Sequence, residues 1–139
     1  MKSSFVVDAS VAMAWCFQDE ATDATRALLL RMSREAAVVP SLWFLEVANV
    51  LATAERRGRI NPSQSAEFIR LVGRLDLEID EHAEHRSLTH VLDLARAHKL
   101  SAYDAAYLDL AQRWVLPLAS CDRALRLAAT TLGIALIEL

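Results

Sequence analysis

Short apolar runs alternate along this chain with longer stretches in which apolar residues recur at helical spacing. Phe5-Val6-Val7 is a β-branched and aromatic run that closes on Asp8. The following Ala9-Ser10-Val11-Ala12-Met13-Ala14-Trp15 has helical composition, so the start reads as strand, then helix. Ala24, Ala27, Leu28 and Met32 predict a second helix from about Thr22 to Arg34. Ala37-Val38-Val39 predicts a strand stopped by Pro40, and Ser41 is a candidate N-cap for a helix from Leu42 to Arg57 that Gly58 ends. Pro62, after Asn61, suits the first turn of a helix reaching about Arg74. Leu75, Leu77 and Ile79 alternate with Asp76, Glu78 and Asp80, the pattern of an edge strand with one wet face. Helical spacing returns over His82 to His98, with Leu88, Val91, Leu92 and Ala95 on one stripe, and Ser101 opens another helix. The chain is expected to close with a strand over Leu116 to Ala119, a helix over Asp122 to Leu132 and a strand over Ile134 to Ile137.

Strands alternating with helices across short connections predict an α/β protein, a three-layer α/β/α sandwich with a mainly parallel sheet. The length of 139 residues predicts a single domain over residues 1–139, and 54% hydrophobic residues with three Gly and three Pro suit a packed, helix-rich core. The apolar runs Val38 to Leu45 and Val115 to Ala119 stop well short of the roughly 18 residues of a membrane helix. With no signal-like start, the expected location is the cytoplasm. Cys16 and Cys121 stand alone and are expected to be core thiols rather than disulfide or zinc ligands. A net charge of −3 argues against a broad basic surface coating nucleic acid, although 13 of the 15 basic residues are Arg, suited to bidentate phosphate contact.

Four carboxylates stand where a carboxylate is locally awkward. Asp8 lies at the C-terminal end of an apolar strand, the side where parallel α/β sheets bind ligands, and a plain strand-end turn explains it equally well. Asp122 has the same address after Leu116 to Ala119, and a helix cap is its structural alternative. Glu46 interrupts a hydrophobic helix and shares a stripe with Leu42, Asn49 and Thr53, either a polar pocket wall or a solvated face. Asp104 follows Ser101 by three residues, which is also the spacing of an imperfect capping box. Asp109 reads as a surface residue or an i+4 partner of Arg113. Were the four acids to converge without His or Cys, they would suit a hard divalent cation, Mg²⁺ or Mn²⁺, whose charge offsets their repulsion and serves phosphodiester displacement.

Taken in order, Val6-Val7-Asp8-Ala9-Ser10-Val11, Pro40 to Leu51 with Glu46 and Asn49, Leu100 to Tyr107 with Asp104, and Ala119-Ser120-Cys121-Asp122-Arg123-Ala124-Leu125 resemble the PIN-domain family of metal-dependent ribonucleases, in particular the VapC toxins. The resemblance implies a PIN-like fold, endonucleolytic hydrolysis of RNA, and a pocket in which Asp8, Glu46, Asp104 and Asp122 are catalytic. It makes Asp8, Asp104 and Asp122 ligands of Mg²⁺ or Mn²⁺, with Glu46 holding waters or helping to activate the nucleophile. Ser10 and Ser120 resemble the hydroxyl residues that flank such acids, with Ser120 where Thr is common, and Asn49 becomes a supporting candidate. It further implies a homodimer, with the apolar helices between Leu42 and Leu71 as interface, and a VapB-like antitoxin as partner.

A net-negative enzyme needs local cations for RNA, and Arg123 and Arg126 are nearest in sequence to Asp122, with simple solvation as the alternative. Arg56, Arg57 and Arg59 are expected to favour a helix C-terminus. Asp76, Glu78, Asp80, Glu81 and Glu84 read as a solvated edge. His82, His85, His90 and His98 receive no catalytic role. The rival readings are a catalytically silent PIN-like binding module or another α/β phosphohydrolase; Asp8-Ala9-Ser10 lacks the second Asp of a haloacid-dehalogenase-type nucleophile loop.

Overall fold

The computed structural model describes residues 2–81 and 83–139, residues 83 and 84 by their backbone alone. Among them, strands β1 (Ser3–Val7), β2 (Ala36–Pro40), β3 (Leu77–Asp80) and β4 (Leu118–Ala119) form a parallel sheet in the order β3-β2-β1-β4. The chain steps outward from β1 through β2 to β3, then returns to place β4 on the other side of β1. The order therefore reverses between β1 and β4, and a crevice at the carboxyl ends of those two strands is where such sheets take ligands. Val6 pairs with Leu118 and Val7 with Ala119, and the Asp8 amide donates to the Ala119 carbonyl at 3.1 Å.

Helices α1 (Ala9–Cys16), α2 (Asp23–Arg31), α3 (Leu42–Arg56), α4 (Pro62–Gly73), α5 (Ala83–Arg86), α6 (Leu92–His98), α7 (Ala102–Trp114) and α8 (Arg123–Thr131) complete the described chain. Local chemistry accounts for many of their ends. Thr22 and Thr25 form a reciprocal capping box on α2, Asn61 and Gln64 do the same on α4 with Pro62 at its first position, and Gly58 takes the left-handed turn after α3 at φ +71°. The core is built from β1 and β2, with Phe5, Val6, Val7, Val38 and Val39 fully buried against Trp43 of α3 and Leu108 of α7.

Several expectations are revised. Ser41 has helical backbone angles and makes no side-chain cap, so it continues the turn that it was expected to start. The stretch expected as one helix from His82 is divided, from residue 83 on, into α5, a π-helical turn over Ser87–Val91 and α6; His82 itself and the Glu84 side chain lie outside the described residues. The wider turn rotates the apolar stripe, leaving Leu88 86% exposed while Val91 and Leu94 are buried. The last expected strand reduces to one bridge, Leu118 to Leu136, because β4 is itself two residues long. Asp80 leaves the solvated edge for the interior, at 1% exposure, drawn by Arg113, while Ile79 turns outward. Arg59 departs from the helix-end role, pairing with Asp19 and Glu20 and lying 3.7 Å over the Phe17 ring. Cys16 is half-buried and Cys121 exposed, so neither is a core thiol.

Candidate active site

The loops after β1 and β4 meet through two serines. Asp8 is 4% exposed and caps α1: its Oδ1 accepts from Ser10 Oγ at 2.5 Å and from the Val11 amide at 3.3 Å, and its Oδ2 accepts from Ser120 Oγ at 2.5 Å. Each hydroxyl also accepts an amide from the β4 loop, Cys121 N to Ser10 at 2.8 Å and Asp122 N to Ser120 at 3.0 Å. The two serines thus orient the acid and tie the two strand ends together. Burial raises the proton affinity of Asp8 first; the serines and the Val11 amide oppose that, and nearby Asp104 adds to it.

Glu46, half-buried on α3, accepts at Oε1 from the Tyr107 hydroxyl at 2.5 Å. Its proton affinity is raised by burial and by the charges of Asp104 and Asp8, against the Tyr107 hydrogen bond. Asp104 lies in the first turn of α7, where its amide donates to Ser101 Oγ at 3.1 Å; burial and Asp122 hold its proton affinity up, and Ser101 lowers it. Asp122 caps α8 by accepting from the Leu125 amide at 3.1 Å. Asp122 therefore caps α8 as expected, Ser101 caps α7 through the Asp104 amide, and Asp104 feels the charge of Asp122. Asp8, Asp104 and Asp122 all sit at helix N-termini, whose free amides and dipole favour negative charge.

The four acids are neighbours that feel one another's charge. Among the described residues no group of three or more His, Cys, Asp or Glu side chains is gathered tightly enough to hold a metal ion as it stands. A small hard cation such as Mg²⁺ takes one or two protein carboxylates with water completing its shell. The donor set is all oxygen. Asp8 has three hydrogen-bond donors on its roughly four acceptor positions, which leaves Oδ2 room for one more ligand. It is this oxygen chemistry, rather than the spacing of the acids, that suits a hard divalent ion.

Asn49 is exposed on α3, one turn beyond Glu46. Arg123 is exposed on the first turn of α8, whereas half-buried Arg126 directs Nη1 to the carbonyls of Ser120 at 2.9 Å and Ile137 at 3.2 Å, bracing the β4 loop. Of the histidines, His90 faces Gln112 at 3.1 Å. Tyr107 was not foreseen as a site residue. Its signal in the sequence is its place one helical turn after Asp104, but a tyrosine on an apolar stripe reads as core until its hydroxyl partner is known. A second group of charges was legible only in part: Asp109, fully buried, accepts from Arg113 at 3.0 Å and also from Arg86 at 2.7 Å, and Arg113 clasps Asp80 through both terminal nitrogens. The expected Asp109–Arg113 pair is present, and the surface alternative is not.

The PIN domain model matches residues 5–130. Among solved structures, the crystal structure of PAE2754 from Pyrobaculum aerophilum shares the fold with a TM-score of 0.72 at 24% identity, over 98% of this chain and 85% of that one. No curated protein matches the chain. With nearly its whole length matched, the chain belongs to the PIN-domain family, whose members are generally metal-dependent nucleases.

Proposed function

We propose that this protein is a Mg²⁺- or Mn²⁺-dependent endoribonuclease, the toxin of a VapBC-type toxin–antitoxin pair. One observation supports the nuclease reading: Asp8 at the carboxyl end of β1, Glu46, Asp104 and Asp122 are linked pairwise by the charge each exerts on the next, and among the described residues no basic side chain is hydrogen-bonded to any of them. Asp8, Asp104 and Asp122 would hold the ion. Bound there, it supplies Lewis-acid stabilisation of the charge that builds on the phosphodiester. Ser10 and Ser120 hold Asp8 in place, Glu46 orients the attacking water and accepts its proton, and exposed Arg123 offers a phosphate contact that the net charge of −3 does not otherwise supply.

The ordered match to VapC-type stretches supports the toxin role, with a VapB-like antitoxin as partner and the cytoplasm as location. No helix among the described residues is long and apolar enough to cross a membrane. For the homodimer, the support is an apolar groove of about 360 Å³ between α3 and α4, with Phe44 and Ile69 partly exposed along it; sedimentation of the purified chain distinguishes dimer from monomer.

The test is incubation of antitoxin-free protein with total cellular RNA and Mg²⁺ or Mn²⁺, beside EDTA and Asp8→Asn controls. Discrete fragments that vanish in both controls are expected, with Asp8→Asn slower by about a thousandfold. Folded protein that cleaves nothing with either ion would point instead to a silent binding module.

A further inference from the structure

Tyr107 lies in the second turn of α7 with 1% of its surface exposed. A buried phenol hydroxyl needs a hydrogen-bond acceptor, commonly a backbone carbonyl. Here the acceptor is Glu46 Oε1 on α3, 61 residues earlier in the chain and 2.5 Å away. The ring is held by the core while its one polar atom reaches a half-buried carboxylate whose charged neighbours are Asp8 and Asp104. Glu46 carries three side-chain torsions and stands on an otherwise apolar stretch of α3, so nothing in its own sequence selects one rotamer.

On the hydrolytic reading of this site, we infer that Tyr107 is a positioning residue: its hydroxyl fixes Oε1 of Glu46 and thereby leaves Oε2 as the oxygen that orients and deprotonates the attacking water. A phenylalanine would fill the same core volume, so the hydroxyl is the part that a purely packing role does not explain. The bond joins α3 to α7, the helix that also presents Asp104. One contact thus holds Glu46 in register with an acid of the metal-holding set. Displacing a reacting group by about an ångström costs on the order of a hundredfold in rate, and this sets the scale of the effect.

The experiment compares wild type, Tyr107→Phe, Glu46→Gln and the double variant in RNA cleavage with Mg²⁺, and records the tyrosine ring-carbon resonances of the full chain. Tyr107→Phe is expected to lower kcat by about 10- to 100-fold with KM within about twofold of wild type, and the double variant to be no slower than Glu46→Gln alone. The chain has two tyrosines, of which Tyr103 is 65% exposed, so their Cζ resonances separate. The Tyr107 resonance is expected to move in Glu46→Gln, and on Mg²⁺ addition in wild type but not in that variant. Wild-type kcat in Tyr107→Phe, additive losses in the double variant, or a Tyr107 resonance indifferent to Glu46→Gln would overturn the inference. Should Tyr107→Phe fail to fold, the resonance in Glu46→Gln decides alone. Wild type that cleaves no RNA while its Tyr107 resonance responds to Glu46→Gln overturns the nuclease reading itself, and with it the role assigned to the bond.

Discussion

Helix α7 contributes to two acidic clusters that are solved in opposite ways. Near its C-terminal half, Asp109 and Asp80 are 0% and 1% exposed, and both are clasped by Arg113, with Arg86 adding a second guanidinium on Asp109. Near its N-terminus, Asp104 joins Asp8, Glu46 and Asp122, and the donors there are hydroxyls, amides and helix ends. A buried carboxylate without a cation is costly, and hydroxyl and amide donors offset only part of that cost. The arginine-paired cluster is thus electrically closed and pins β3 to α7. The other keeps a net negative charge that a divalent ion can neutralise. The contrast teaches where this fold spends its counterions: on acids that hold it together.

Three measurements can break or sharpen this contrast. The largest effect is expected from Arg113→Met, which removes the guanidinium shared by two buried carboxylates and should cost about 3–5 kcal/mol in urea unfolding, with or without Mg²⁺. A loss that Mg²⁺ repaired would mean the two clusters are not distinct. Next comes the pH dependence in EDTA. Folded Asp8 and Asp104 hold protons above their ordinary 3.8, and Glu46 above 4.5, so their contribution to stability is full below those values and is lost as pH rises through the higher folded ones. Relative to Asp8→Asn, wild type should therefore lose melting temperature as pH rises above the ordinary carboxylate range, and Mg²⁺ should restore it chiefly where the acids are ionised. Equal slopes would mean that burial does not hold the Asp8 proton above its ordinary value. The smallest effect is expected from Arg86→Gln, about 1 kcal/mol by thermal melting, because Arg113 still pairs Asp109 and Arg86 is partly solvated.

Much of the fold was legible along the chain because its signals are local. β1 and β2 are short β-branched runs, α4 begins with Asn61-Pro62, and Gly58 follows α3, so periodicity and cap chemistry suffice to place them. The expectations that failed depended on distant partners. The alternation around Leu77 and Ile79 put Asp80 in water, whereas Arg113, 33 residues later, brings it inside. Nothing in the spacing from residue 83 on marks the wider turn at Ser87–Val91, which keeps the composition of a helix while rotating Leu88 into solvent.

The candidate site divides along the same line. Sequence by itself determined the acids and their addresses: Asp8 and Asp122 after apolar runs, Asp104 near a cap, Glu46 interrupting an apolar helix. These are properties of neighbours in the chain, where strand ends and helix starts are dictated by backbone hydrogen bonding. Tertiary structure alone decided that these acids come close enough to feel one another's charge, that Ser10 and Ser120 grip the two oxygens of Asp8 from loops about 110 residues apart, and that Tyr107 reaches Glu46 across two helices. Convergence depends on the strand order β3-β2-β1-β4, and that order follows from burying both faces of the sheet at once, a condition on the whole chain that no stretch of it carries.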